Sequence, residues 1–89
     1  MAKIAHFRPS GLLHNPAFSQ VVAATGARTI YTAGQVSIDE HGGLVGAGDL
    51  ALQTTQVMRN IGSALAAAGA GYDDIVKITT YVVNYNVYT

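Results

Sequence analysis

Cysteine and tryptophan are absent from these 89 residues, proline occurs only twice, and charged side chains make up 11% of the chain. Without cysteine there is no disulfide scaffold and no thiolate metal site. Five Lys/Arg offset five Asp/Glu, leaving a formal net charge of zero. Such a chain has no long-range field to gather phosphate backbones, so nucleic acid is disfavoured as a partner. No apolar stretch approaches the roughly eighteen residues of a membrane span. The opening run Met1-Ala2-Lys3-Ile4-Ala5-His6-Phe7-Arg8 lacks the apolar segment of a signal peptide. The expectation is a cytoplasmic protein with no membrane contact.

What is present is apolar. Hydrophobic residues reach 49%, and the mean hydropathy is +0.26. An average soluble domain carries about 25% charged residues, so the polar surface here is thin and self-association is expected. A chain of 9.3 kDa should expose about 5,000 Å² when folded, against about 13,500 Å² extended. That is room for one domain spanning 1–89, with a small core and no second domain.

Five elements are expected. Residues 3–7 alternate weakly and suit an edge strand, closed by the turn-forming Arg8-Pro9-Ser10-Gly11. Residues 12–19 read as loop. A short apolar strand at 20–24 and a β-branched, aromatic one at 29–36 are close enough to form an antiparallel hairpin. Asp39-Glu40-His41-Gly42-Gly43 is loop by composition. From 49 to 68, Leu50, Thr54, Val57, Ile61, Ala64, Leu65 and Ala68 share one face at period 3.6. Asp49 can cap this helix, and Gly69 stands where a left-handed C-cap belongs. Gln53, Gln56, Arg59, Asn60 and Ser63 populate its other side, with Asn60 able to bond a neighbouring loop. Residues 75–83 alternate cleanly, Val76, Ile78, Thr80 and Val82 on one face, as a strand. The final six residues form no element of their own. The order β-β-β-α-β predicts an α+β fold, a helix lying on one face of a mixed sheet.

No constellation of side chains names a reaction. His6, His14 and His41 have no metal-ligand spacing, and exposed or locally bonded histidines are the expectation. Asp39-Glu40 and Asp73-Asp74 are adjacent pairs whose side chains diverge on an extended backbone. Ser10, Ser19, Ser37 and Ser63 sit in no nucleophile elbow. The glycines at 42–43 and 46–48 lack the dinucleotide-binding pattern. No metal or cofactor is implied.

Three ordered segments do carry a resemblance. These are residues 31–39 with Gly43-Leu44-Val45, then Gln53-Thr54-Thr55-Gln56-Val57-Met58-Arg59-Asn60-Ile61, then 65–70 with 74–82. Together they resemble the Rid family, also called YjgF or L-PSP, over nearly the whole chain from about Asn15 to Tyr88. The resemblance implies a chorismate-mutase-like fold assembled as a homotrimer, with ligand pockets at subunit boundaries. It also implies hydrolysis of reactive imines and enamines of amino acids to 2-oxo acids and ammonia. Other members are described as ribonucleases or translation inhibitors.

The same resemblance assigns the pocket. A serine usual in the family falls at Ala33, beside Gly34, and a family tyrosine aligns with Phe18. These three residues are expected to line the ligand cleft. The family's key arginine and supporting glutamate belong to a C-terminal segment with a second helix and closing strands, beyond Thr89. Arg8, Arg28 and Arg59 do not match that arginine, so no catalytic residue is carried over and the chain is expected to be C-terminally incomplete. A guanidinium matters there because it holds a carboxylate through two parallel hydrogen bonds. The rival expectations are a non-catalytic trimer holding a small carboxylate metabolite and an L-PSP-type endoribonuclease.

Overall fold

Lys3–Phe7 (β1) and Val21–Thr25 (β2) pair antiparallel, in a computed structural model that describes residues 3–83. The register runs from Lys3↔Thr25 to Phe7↔Val21, with Ile4↔Ala24 and His6↔Val22 between. The connection 8–20 is held by its own hydrogen bonds. Arg8 Nη1 donates to the carbonyls of Asn15 (3.0 Å) and Phe18 (3.2 Å). His14 Nε2 lies 3.2 Å from the Pro9 carbonyl, and Gln20 Nε2 donates to that of Leu13. The Asn15 carboxamide accepts the Ala17 amide at 2.8 Å, an Asx turn that sets up Phe18.

The helix α1, Leu50–Ala67, forms where the period-3.6 pattern places it. Asp49 is its N-cap, with extended backbone and a carboxylate that accepts the Leu52 amide at 3.1 Å. This satisfies one of the orphan donors of the first turn and sets negative charge at the positive end of the dipole. At the other end Gly69 adopts φ +78°. Its amide donates to Ala66 O and that of Ala70 to Leu65 O, at 3.0 and 2.9 Å. This pair of bonds is a Schellman closure, which needs a residue in the left-handed region. Arg28 Nη2 donates to the Ala68 carbonyl, setting a cation at the negative end of the dipole.

Three expectations change. Residues 29–36 and 75–82 carry no strand assignment, so β2 pairs with β1 and not with 29–36. Past β2 the chain is tied to the end of α1 through the Arg28 guanidinium on the Ala68 carbonyl. Alternation makes a segment fit a pleat, but a strand exists only where a partner completes its ladder. Second, the described sheet is two-stranded and antiparallel rather than mixed, and α1 does not lie substantially across it. Its strands carry Ile4, Phe7, Val21 and Val22 beside three alanines, and Phe7 and Val21 stay about half exposed. Third, the helix side expected to face solvent is partly covered. Gln53 Nε2 donates to Gly46 O at 2.9 Å, and Asn60 Nδ2 to Val36 O and Ile38 O at 3.1 and 3.0 Å. Asn60 is itself oriented by Gln56, whose amide donates to its Oδ1.

The segment so held turns at Asp39, whose Oδ1 accepts the amides of His41 and Gly43 at 2.9 and 2.8 Å. Ile38 and Leu44 bridge across the turn, and the buried Ser37 hydroxyl donates to Val45 O. The chain reaches the helix again at Tyr72–Asp74, a single 3-10 turn, where the Tyr72 hydroxyl donates to Met58 O. Residues 84–89, read as forming no element, lie outside the described residues.

The enclosed core is smaller than composition predicts. Leu65, 7% exposed, is the buried apolar residue among those described, while Tyr31 and Tyr81 are 90% and 92% exposed. The accessible surface is 7434 Å², well above the roughly 5,000 Å² of a folded monomer of this mass. The radius of gyration is 15.8 Å, against about 12 Å for a compact domain. The coarse α+β class stands as one helix with an antiparallel strand pair.

Two outcomes test this description. Replacing Gly69 by Ala forces a Cβ into the left-handed region and should cost about 1 kcal/mol, read as a lower urea midpoint with an unchanged slope. Asn60→Ala removes both bonds to 36–38 and should cost about 1–2 kcal/mol. Hydrogen exchange at the Val45 amide, bonded to Ser37 O, should then accelerate while the first turns of α1 keep their protection. Unaltered exchange at Val45 would show that something other than Asn60 holds the segment.

Candidate functional site

Two open grooves of similar size carry the polar side chains that sequence reasoning singled out. The first, about 610 Å³, lies between the β1–β2 pair and the turn at 16–19. Period-two alternation puts His6 and Arg8 on one side of the chain leaving β1, and the register adds Val22, directly opposite His6. The Asx turn at Asn15 brings in Phe18 and Ser19, and Val76 completes an apolar patch. His6 Nδ1 lies 3.0 Å from Ser19 Oγ, fixing the imidazole beside the hydroxyl.

The second groove, about 530 Å³, runs between α1 and the segment its side chains hold. Its lining includes Gly34, Val36, Asp39, Glu40, Asn60 and Ser63. The Asn60 amide is already committed to backbone carbonyls, and Asp39 Oδ1 to its own turn. The remaining polar capacity here is largely acidic.

A chain with no net charge thus sorts its charge between two grooves. The lining of the first holds a guanidinium and an imidazole with no carboxylate. The second holds two carboxylates and no cation. Among the described residues the ion pair found is His41 with Glu40 at 3.6 Å, both highly exposed, and Arg8 has no acidic partner. One groove is suited to an anion and the other is not.

Phe18 lines the first groove and Gly34 the second, while Ala33 lines neither and offers its carbonyl to Gln35 Nε2 at 3.3 Å. Within a single chain these three residues share no groove. His6 and His14 are locally bonded, the former to Ser19 and the latter to Pro9 O. No group of three or more His, Asp or Glu that could hold a metal occurs among the described residues. No helix there is long and apolar enough to cross a membrane. Sequence reasoning missed the placement of Arg8 and His6 against Phe18. Their i, i+2 spacing was a usable signal, but it points to Phe18 only once β1 is known to pair with β2.

The profile of the family described as endoribonuclease L-PSP matches residues 12–89. A RutC family protein of Pyrococcus horikoshii is 38% identical over 69 residues, covering 78% of this chain and 53% of the relative. One from Synechocystis is 34% identical over 70 residues, covering 78% and 52%. The rat 2-iminobutanoate/2-iminopropanoate deaminase is 36% identical over 70 residues, covering 79% and 50%. The chain spans about half the length of the curated relatives it matches. No solved structure matches it significantly. With the matched region running from the loop that carries Phe18 through the helix and beyond, the chain belongs to the Rid family, the family of endoribonuclease L-PSP and YjgF.

Proposed function

We propose that this chain serves the hydrolytic deamination of small, reactive 2-imino or enamino acids, working as a homotrimer whose ligand clefts lie between subunits. The observation that carries this reading is its 36% identity over 70 residues to a protein named as a 2-iminobutanoate/2-iminopropanoate deaminase. In that reaction a water adds to the C=N carbon and the C–N bond then breaks. Ammonia leaves and the 2-oxo acid remains, with no redox change. The reaction asks the protein to hold a carboxylate, orient the imine carbon and position one water.

The trimer is supported by the apolar surface the single chain leaves uncovered. Val36, Leu44, Val76 and Ile78 are all more than half exposed, and exposure of that kind marks surfaces that meet another chain. In such an assembly Phe18, Ala33 and Gly34 line the cleft, contributed by more than one subunit. The loss of two hydroxyls at Phe18 and Ala33 makes that cleft more apolar than the family pattern.

A non-catalytic trimer that holds a 2-oxo or 2-imino acid is the second reading, favoured by the same apolar substitutions. The endoribonuclease reading draws on the family's description, but the balanced charge and the acidic second groove provide no basic track for RNA.

The test is ammonia release from freshly generated 2-iminobutanoate. Release above the uncatalysed rate, abolished on denaturing the protein, is the expected result. Release at the background rate, with binding of 2-oxobutanoate retained, would transfer the assignment to the non-catalytic reading.

A further inference from the structure

We propose that the groove between β1–β2 and the 16–19 turn is a carboxylate-recognition site of this chain, with the Arg8 guanidinium as the anion's anchor and Phe18, Val22 and Val76 holding a short apolar tail. The choice of a small 2-oxo or 2-imino carboxylate as ligand rests on the deamination reading. The location and polarity of the site rest on the geometry alone.

Arg8 Nη1 bridges the Asn15 and Phe18 carbonyls, which pins both the guanidinium and the turn beside it. A guanidinium carries five N–H donors in a planar fork. The remaining edge, Nη2 with Nε, has no hydrogen-bond partner among the described residues, and Arg8 borders the groove. A pinned fork with an open edge loses less side-chain freedom on binding than a freely rotating one. An edge of that geometry can donate to both oxygens of a carboxylate at once.

The surroundings agree in sign and in size. No acidic side chain lines the groove to compete for Arg8, whereas the groove beside α1 contains Asp39 and Glu40. A carboxylate is therefore attracted to one groove and repelled by the other. The lining also includes Phe18, 47% exposed, and Val76, 52% exposed. A volume of about 610 Å³ lies within the range of small-molecule sites. The His6–Ser19 pair, 3.0 Å apart, supplies a hydroxyl and an imidazole for the polar group next to the carboxylate, the keto oxygen or imine nitrogen of the ligand.

Arg8 acts in two ways, by charge and by holding the Phe18 turn, and the experiment must separate them. Binding of 2-oxobutanoate and of its neutral amide is measured by NMR titration for the wild-type protein, Arg8→Gln, Arg8→Lys and Glu40→Gln. The expected result is a wild-type preference for the carboxylate over the amide, with shifts at Phe18, Ser19 and Val22. Arg8→Gln should weaken carboxylate binding about tenfold while amide binding changes far less. Arg8→Lys should fall between, keeping the charge and losing the fork, and Glu40→Gln should bind as wild type does. Equal losses for carboxylate and amide in Arg8→Gln would overturn the proposal, since they would reduce Arg8 to a support for the turn. Carboxylate-induced shifts confined to residues 34–40 would overturn it as well. Selective binding of 2-oxobutanoate, together with no ammonia release from 2-iminobutanoate above the uncatalysed rate, would refute the catalytic reading and leave this site standing. Ammonia release with unselective binding would do the reverse.

Discussion

The hydrogen bonds that leave α1 sideways hold most of this chain in place. Leu65 is the buried apolar residue among those described, so apolar packing alone does not gather the segments around it. Gln53 takes the carbonyl of Gly46, Asn60 those of Val36 and Ile38, Arg28 reaches Ala68 O, and Tyr72 reaches Met58 O. Each tether joins a segment with no ladder of its own to the one element whose backbone bonds are internally complete. A helix can play this part because its i→i−4 bonds need no partner strand. It is stabilised at both ends, by the Asp49 carboxylate and by the Gly69 closure with Arg28.

The same economy shapes the grooves. The Asn60 tether bends 34–39 along the helix and so creates the acidic groove, and the Arg8 clamp folds 15–18 against β1 and so creates the basic one. In the basic groove the fastening side chain, Arg8, also sets the polarity, whereas in the acidic one Asn60 fastens and Asp39 with Glu40 set it. For a ligand as small as a metabolite, this sorting matters more than net charge, which is zero. A ligand a few ångströms across responds to the nearest guanidinium or carboxylate, because charges beyond a Debye length of about 8 Å are screened.

Much of the local structure was legible. The helix bounds, the Asp49 cap, the Gly69 closure and the turn after Ile38 all follow from residues within a few positions of one another. Asn60 was legible as a residue able to bond a loop, though not which loop. Family membership was legible too, because the ordered segments from 31 to 82 carry it together. What escaped was every pairing between distant segments. Residues 29–36 have the composition of a strand, and residues 75–83 have its alternation, yet neither finds a ladder partner within the described chain. Phe18 and Gly34, grouped by resemblance, line separate grooves, while Arg8, set aside for not matching the family's arginine, borders the groove that holds Phe18.

The division has one physical cause. Caps, turns and helical faces are decided by bonds that close within four or five residues, so the sequence by itself determined them. Strand pairing, the covering of the Gln53–Asn60 side, and the meeting of His6 and Arg8 with Phe18 join groups far apart along the chain. Each of those depends on which of several competing partners closes the loop, and Arg28 reaching the end of α1 shows one such competition resolved. Only the tertiary structure decided them.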